Sequence, residues 1–210
     1  KLCVFGAGAI GGYLGATLAM AGNEVSLIAR GRHLQAMRSN GLHLIDPDGG
    51  EHDVDVAASD RPGDFGPQDY VFLSTKAYAA PEAVAAMAPL LGLDTCVVTA
   101  SNGMPWWYFY KLPGPWEDRR IPMVDPDDAQ WNGIGPHRVL GTVLWVSAEI
   151  PEPGVVRHTF GNRMPLGEPD GTKSDRATVL AGILSNAGMK SPVRDDIRSE
   201  IWLKLWGNLA

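Results

Sequence analysis

Cysteine is nearly absent: Cys3 and Cys96 are the only two in 210 residues, and neither has a CxxC partner or a histidine at ligand spacing. That excludes a disulfide framework and a zinc site of the usual kind, and both residues, set inside apolar runs, read as buried reduced thiols. An Asn-x-Ser/Thr sequon is missing, as is a basic opening segment with a small-residue cleavage site, which points to a cytoplasmic protein. Blocks of like charge are missing too. With a net charge of −6, the chain offers no basic footprint for nucleic acid or for an anionic membrane surface, so its expected partners are small molecules.

Charge is also absent from residues 3–23, where Gly8-xxx-Gly12 and Gly11-xxx-Gly15 repeat the spacing of packed membrane helices. Composition argues against a span, because Gly6, Gly8, Gly11, Gly12, Gly15 and Gly22 are poor helix filler and neither a positive flank nor an aromatic belt brackets the run. What is present is Gly6-x-Gly8-x-x-Gly11, placed after the apolar run 2–5 and opening an Ala- and Leu-rich segment, 9–21. Residues 24–29 are apolar again with β-branched members, so the unit reads strand, helix, strand, with Ala21-Gly22-Asn23 as the helix stop. In that setting Gly6 serves a tight turn, Gly8 the close approach of backbone to a pyrophosphate, and Gly11 the packing of helix on strand. The unpaired N–H groups at the helix start favour the phosphates, so a dinucleotide is expected.

Which dinucleotide depends on the end of the second strand, Leu27-Ile28-Ala29-Arg30-Gly31-Arg32, where the acid that would hold the ribose hydroxyls of NAD is missing. Arg30 takes its neighbourhood, and a guanidinium there pairs bidentately with a 2′-phosphate, which favours NADP over NAD and FAD. The alternative is that Arg30 and Arg32 are merely solvated.

Further along, residues 31–40 read as a short helix, and residues 41–45 with 53–57 as a hairpin around Asp46-Pro47-Asp48-Gly49-Gly50. Residues 70–74 and 95–99 are unalternated apolar runs, the pattern of strands covered on both faces, and the Ala-rich stretch 77–91 between them is helical. The expected fold class is therefore α/β, a Rossmann-type doubly wound parallel sheet. Residues 105–136 break its rhythm with Trp106, Trp107, Tyr108, Phe109, Tyr110, Trp116 and Trp131 among many prolines, as a packed Ω-type insert or as a lid. Residues 139–148 and 154–159 look like a second hairpin, 175–187 like an amphipathic helix, and 196–210 like a helix without a closing cap.

Two residues stand just beyond buried strands, Lys76 in Leu73-Ser74-Thr75-Lys76 and Asn102 in Ala100-Ser101-Asn102-Gly103. Ligands collect at that edge of a doubly wound sheet, although either residue type also serves as a cap or turn residue. In the last helix Lys204 and Asn208 are four apart and share a face. A lysine desolvated among tryptophans becomes a proton donor near neutral pH; a solvated lysine is the alternative.

Taken together, the opening GAGAIGGYLG, Arg30 after the second strand, STKAY at Lys76, SNG at Asn102 and WLKLWGN with Lys204 and Asn208 resemble the ketopantoate reductases, NADPH-dependent 2-dehydropantoate 2-reductases, from the first residue to the last. The resemblance implies NADP(H) on a pyrophosphate loop of Gly6, Gly8, Ala9, Ile10 and Gly11, with Arg30, Lys76 and Asn102 also at the cofactor. It implies hydride transfer to the keto carbon of a 2-oxo acid, foremost 2-dehydropantoate in pantothenate and coenzyme A synthesis, with Lys204 protonating the alkoxide. Asn208, Asn102 and Lys76 would meet the substrate, and no metal is called for. Residues 1–194 would be the NADP-binding domain, and residues 195–210 the first helix of a truncated all-α second domain, whose Ser and Glu bind the substrate's polar groups. The aromatic insert exceeds the family's minimal pattern, which leaves room for a paralogue reducing another 2-oxo acid. Rival readings are an opine or other 2-hydroxy-acid dehydrogenase and a noncatalytic NADP-binding module. Oligomeric state stays open, a homodimer included.

Overall fold

All four side chains of the first apolar run, β1 (Leu2–Phe5), are buried, because the strand is central in a sheet covered on both faces. The computed structural model describes residues 1–209, with backbone alone at Ala77 and Leu209; Ala210, the last residue of the expected terminal helix, lies outside the described residues. Parallel neighbours β2 (Val25–Ile28) and β6 (Gln68–Leu73) flank β1 in a register that sets Phe5, Ile28 and Leu73 level. The sheet continues through β5 (Ala57–Ser59) beyond β2, and through β7 (Leu91–Val98), β8 (Val139–Thr142) and the short antiparallel β11 (Leu166–Gly167) beyond β6. Its order, β11-β8-β7-β6-β1-β2-β5, switches direction between β1 and β6, the position in a doubly wound sheet at whose carboxyl edge ligands collect.

Strand residues alternate between two cores. Leu2, Val4, Leu27, Tyr70, Phe72 and Cys96 lie in one cluster, and Cys3, Phe5, Ile28, Val71, Leu73 and Val97 in the other, so a period of two gives an unbroken apolar run.

Helix α1 (Ala9–Met20) lies between this sheet and a second one of four strands, made by β3 (Leu42–Ile45), β4 (Glu51–Val54), β9 (Trp145–Glu149) and β10 (Val155–Arg163) in the order β4-β3-β10-β9. Coverage on both sides explains the missing charge. A Cβ on Gly12 would come 2.7 Å from Val156 Cγ2 in the second sheet, and one on Gly15 would strike Leu27 in the first, so these two glycines serve sheet-helix-sheet packing. Among the described residues no helix is long and apolar enough to cross a membrane.

The strand expectations need two corrections. The first hairpin pairs β3 with β4 at residues 51–54, whereas Ala57–Ser59 leaves it and joins the main sheet beside β2. Residues 139–148 are not one strand: the chain breaks at Val143-Leu144, so that β8 completes the main sheet and β9 turns into the second, pairing with β10. Helices α2 (Gly31–Asn40), α3 (Ala80–Met87), α4 (Ala129–Gly133), α5 (Asp175–Asn186) and α6 (Ile197–Leu209) complete the order, with 3₁₀ turns on both sides of α3. The aromatic segment packs against the sheet: Trp107 is fully buried, its Nε1 donates to Thr99 Oγ1 at 3.1 Å, and its ring covers Gly141 of β8. Its second half closes on itself, as buried Asp125 accepts the backbone N–H of Gln130 and Trp131 and the Arg120 guanidinium stacks 3.3 Å from the Trp131 ring centroid.

Candidate active site

The level register of β1, β2 and β6 brings three loops to one edge. Gly6 has φ +103°, a conformation that L side chains rarely adopt, and a Cβ there would lie 2.8 Å from Thr75 Cγ2. Ser74 pins the same turn, its hydroxyl donating to the Gly6 carbonyl at 2.8 Å and the Phe5 carbonyl at 3.3 Å. Gly11 packs so closely that a Cβ would strike the Gly6 carbonyl and Ser74 Oγ. Gly8 differs: at φ −78° a Cβ would meet no protein atom within 4 Å. It caps α1 without a side-chain hydrogen bond, and the first turn, with Ala9, Ile10 and Gly11, carries no acid. The N–H groups of that turn are thus placed to receive an anion. Beside the turn the Thr75 hydroxyl is buried without a hydrogen-bond partner among the described residues. Arg30 is exposed, extended, and stands directly after β2 at the start of α2. A positive-φ turn, an acid-free helix start, an orphaned hydroxyl and an exposed arginine fit a dinucleotide with a phosphate on its ribose.

Beyond β6, Lys76 is exposed and precedes the 3₁₀ turn Ala77–Ala79. Beyond β7, Asn102 is committed at both ends of its amide: Nδ2 donates to the Leu144 carbonyl at 3.1 Å and Oδ1 accepts the Leu144 N–H at 3.0 Å. It clamps the break between β8 and β9, and one amide hydrogen and one lone pair remain for a ligand.

Ser101, Asn102, Thr142, Val143, Ile201 and Lys204 line one narrow cleft at the carboxyl edge of β7 and β8. The cleft unites Asn102 with Lys204, while Lys76 and Asn208 are not among its lining residues, Asn208 being exposed one helical turn further on. The tryptophans expected around Lys204 are not those of its own helix, for Trp202 and Trp206 are 54% and 75% exposed. Its aromatic neighbour is Trp145 at the start of β9, with the ammonium 4.4 Å from the ring centroid.

Helix α6 is held by residues that carried no sequence signal. Glu200 accepts two hydrogen bonds from Arg163, at 2.6 and 3.0 Å, and one from Arg194 at 2.9 Å; the Arg163 hydrogen bonds hold its carboxyl below the ordinary value against the opposing effect of burial. Arg198 donates to the Tyr108 and Tyr110 carbonyls, both at 2.7 Å, and to that of Pro169. Trp202 Nε1 donates to the Tyr108 hydroxyl at 2.7 Å, so the aromatic insert braces the helix that bears Lys204.

Residues 2–105 match the model of the family described as ketopantoate reductase PanE/ApbA. Over 211 residues the chain is 52% identical to a 2-dehydropantoate 2-reductase of Mesorhizobium japonicum, covering 100% of this chain and 64% of that protein. Residues 2–105 thus carry the domain of the ketopantoate reductase family. A crystal structure from Ralstonia solanacearum MolK2, assigned as a ketopantoate reductase, superposes with a TM-score of 0.94 at 42% identity, covering 99% of this chain and 64% of that one. A D-mandelate dehydrogenase solved with NADH and anilino(oxo)acetate shares the fold at 24% identity, with a TM-score of 0.77 over 97% of this chain and 60% of that one. The chain spans just under two thirds of the length of the Mesorhizobium and Ralstonia solanacearum proteins, 64% in each case.

Proposed function

We propose that the full-length protein reduces a 2-oxo acid, 2-dehydropantoate foremost, with NADPH as the reductant. The observation that carries this reading is the cleft that joins Asn102 and Lys204 at the same sheet edge as the Gly6–Gly11 turn. Residues 1–194 would hold the cofactor and residues 195–210 would begin the part that encloses the substrate. The N–H groups of Ala9, Ile10 and Gly11 would receive the pyrophosphate, Gly8 would let it approach, and Arg30 would pair with a 2′-phosphate, which supports NADPH over NADH. When bound, NADPH supplies the hydride.

This chain's residues do the rest. Lys204 is an ammonium in a cleft only partly open to water, so it stabilises negative charge developing on a carbonyl oxygen and gives that oxygen a proton. Asn102, held by Leu144, offers its remaining amide hydrogen to the nicotinamide or the substrate. Asn208 shares the helix face of Lys204 and would hydrogen-bond substrate there, while Lys76 adds positive charge beyond β6.

The test is loss of NADPH absorbance in the full-length protein with 2-dehydropantoate and a panel of other 2-oxo acids, with and without an amine. Lys204→Ala should lower kcat by roughly 100- to 10,000-fold, the range of general acid catalysis, and leave NADPH affinity unchanged. Turnover only in the presence of an amine would make it an opine dehydrogenase. NADPH binding without turnover of any 2-oxo acid would sink the proposal and leave a binding module.

A further inference from the structure

A proton donor on a lysine has a positional problem. The side chain has four rotatable bonds, yet the ammonium must stand within hydrogen-bond reach of the oxygen it protonates. A carboxylate partner would hold it, but would also compete for the proton.

The protein provides an aromatic ring instead. Lys204 Nζ lies 4.4 Å from the centroid of Trp145. The ring's own polar group takes no part, since Trp145 Nε1 is buried without a hydrogen-bond partner among the described residues. A buried unpaired donor is costly, so what the ring face contacts accounts for its placement better than its N–H does. Two anchors fix that placement. Asn102 grips both backbone groups of Leu144, the residue before Trp145. Arg163, whose guanidinium lies 6.0 Å from the same ring, is locked to Glu200, one helical turn before Lys204.

We propose that Trp145 is a positioning residue for the reaction, its ring face holding the Lys204 ammonium in place and the Asn102–Leu144 clamp holding the ring. This rests on reading Lys204 as the proton donor. A ring face attracts an ammonium without accepting its proton, and an oxyanion forming nearby outcompetes the ring for it. Asn102 then acts on the site through Leu144 and Trp145 as well as by its remaining amide hydrogen.

The experiment uses the full-length protein with NADPH and its best 2-oxo acid, comparing Trp145→Met and Trp145→Phe in the wild-type and Lys204→Ala backgrounds. Trp145→Met should lower kcat about tenfold or more, as expected for a misplaced catalytic group, with KM for NADPH and the melting temperature near wild type. Trp145→Phe keeps a ring face and should recover most of the rate. In the Lys204→Ala background neither change should matter. A Met variant as fast as wild type, a Phe variant as slow as Met, or equal losses in both backgrounds would overturn the proposal. Should Trp145→Met fail to fold, Trp145→Leu is read in its place: a kcat loss present with Lys204 and absent without it supports the proposal, and equal effects in the two backgrounds, including no effect in either, overturn it. If Lys204→Ala itself retains full kcat, it is the reading of the donor that fails, independently of Trp145.

Discussion

Gly8 and Gly11 lie three positions apart and do opposite work. A Cβ on Gly11 would strike the Gly6 carbonyl and the Ser74 hydroxyl, whereas one on Gly8 would meet no protein atom within 4 Å. Gly11→Ala should therefore destabilise the protein by about 1–3 kcal/mol, the usual cost of overpacking, as read from urea unfolding. Gly8→Ala, at φ −78° where alanine is at ease, should leave unfolding unchanged and weaken NADPH binding at least about tenfold, or about 1.4 kcal/mol, in a fluorescence titration. If both variants lose stability and neither loses affinity specifically, the turn is structural and not a phosphate cradle. The motif's spacing is legible in the sequence, but which glycine is packed against protein and which faces open space depends on groups such as Ser74, brought in just after a strand far along the chain.

At the scale of the element, α6 is the piece whose attachment decides where Lys204 stands. Glu200 is 8% exposed and is bound by Arg163 and Arg194, and Arg163's hydrogen bonds hold its carboxyl below the ordinary value. A carboxyl with a lowered value in the folded state contributes stability that is complete above the ordinary range near pH 4.3 and is lost as pH falls through the lowered value. Glu200→Gln should thus cost about 1–3 kcal/mol at neutral pH in urea unfolding, and the gap from wild type should shrink in acid as the wild-type carboxyl is itself protonated. A gap of the same size at every pH would mean that the helix is held by Arg198 and the aromatic insert and not by Glu200. The helical pattern of this segment is readable from its residues. Its attachment is not, because Arg163 lies on β10 and the Tyr108 and Tyr110 carbonyls lie in the insert.

For the whole molecule, the two free thiols report on two different cores. Cys3 sits with Phe5 and Val71 on one face of the main sheet, and Cys96 with Tyr70 and Phe72 on the other. Burial pushes both thiols up to about 12, so neither forms thiolate at neutral pH. Both should resist iodoacetamide in the native protein. In mild urea, peptide mass spectrometry should find them labelled at the same rate if the two faces open as one cooperative unit. Faster labelling of Cys3 alone would show that the face carrying the insert and α6 opens first.

Local spacing determined a good deal here. The glycine turn after β1, the unbroken apolar strands, the Ala-rich helix between β6 and β7 and the lysine helix all follow from short-range periodicity and backbone sterics, which neighbouring residues dictate. Tertiary structure alone decided the second sheet over α1, the break at Val143-Leu144, the clamp of Asn102 on Leu144, and Trp145 as the aromatic partner of Lys204. Each of these joins segments far apart in the chain, and such pairings are set by which apolar face covers which when the sheets close, a choice that no local pattern encodes.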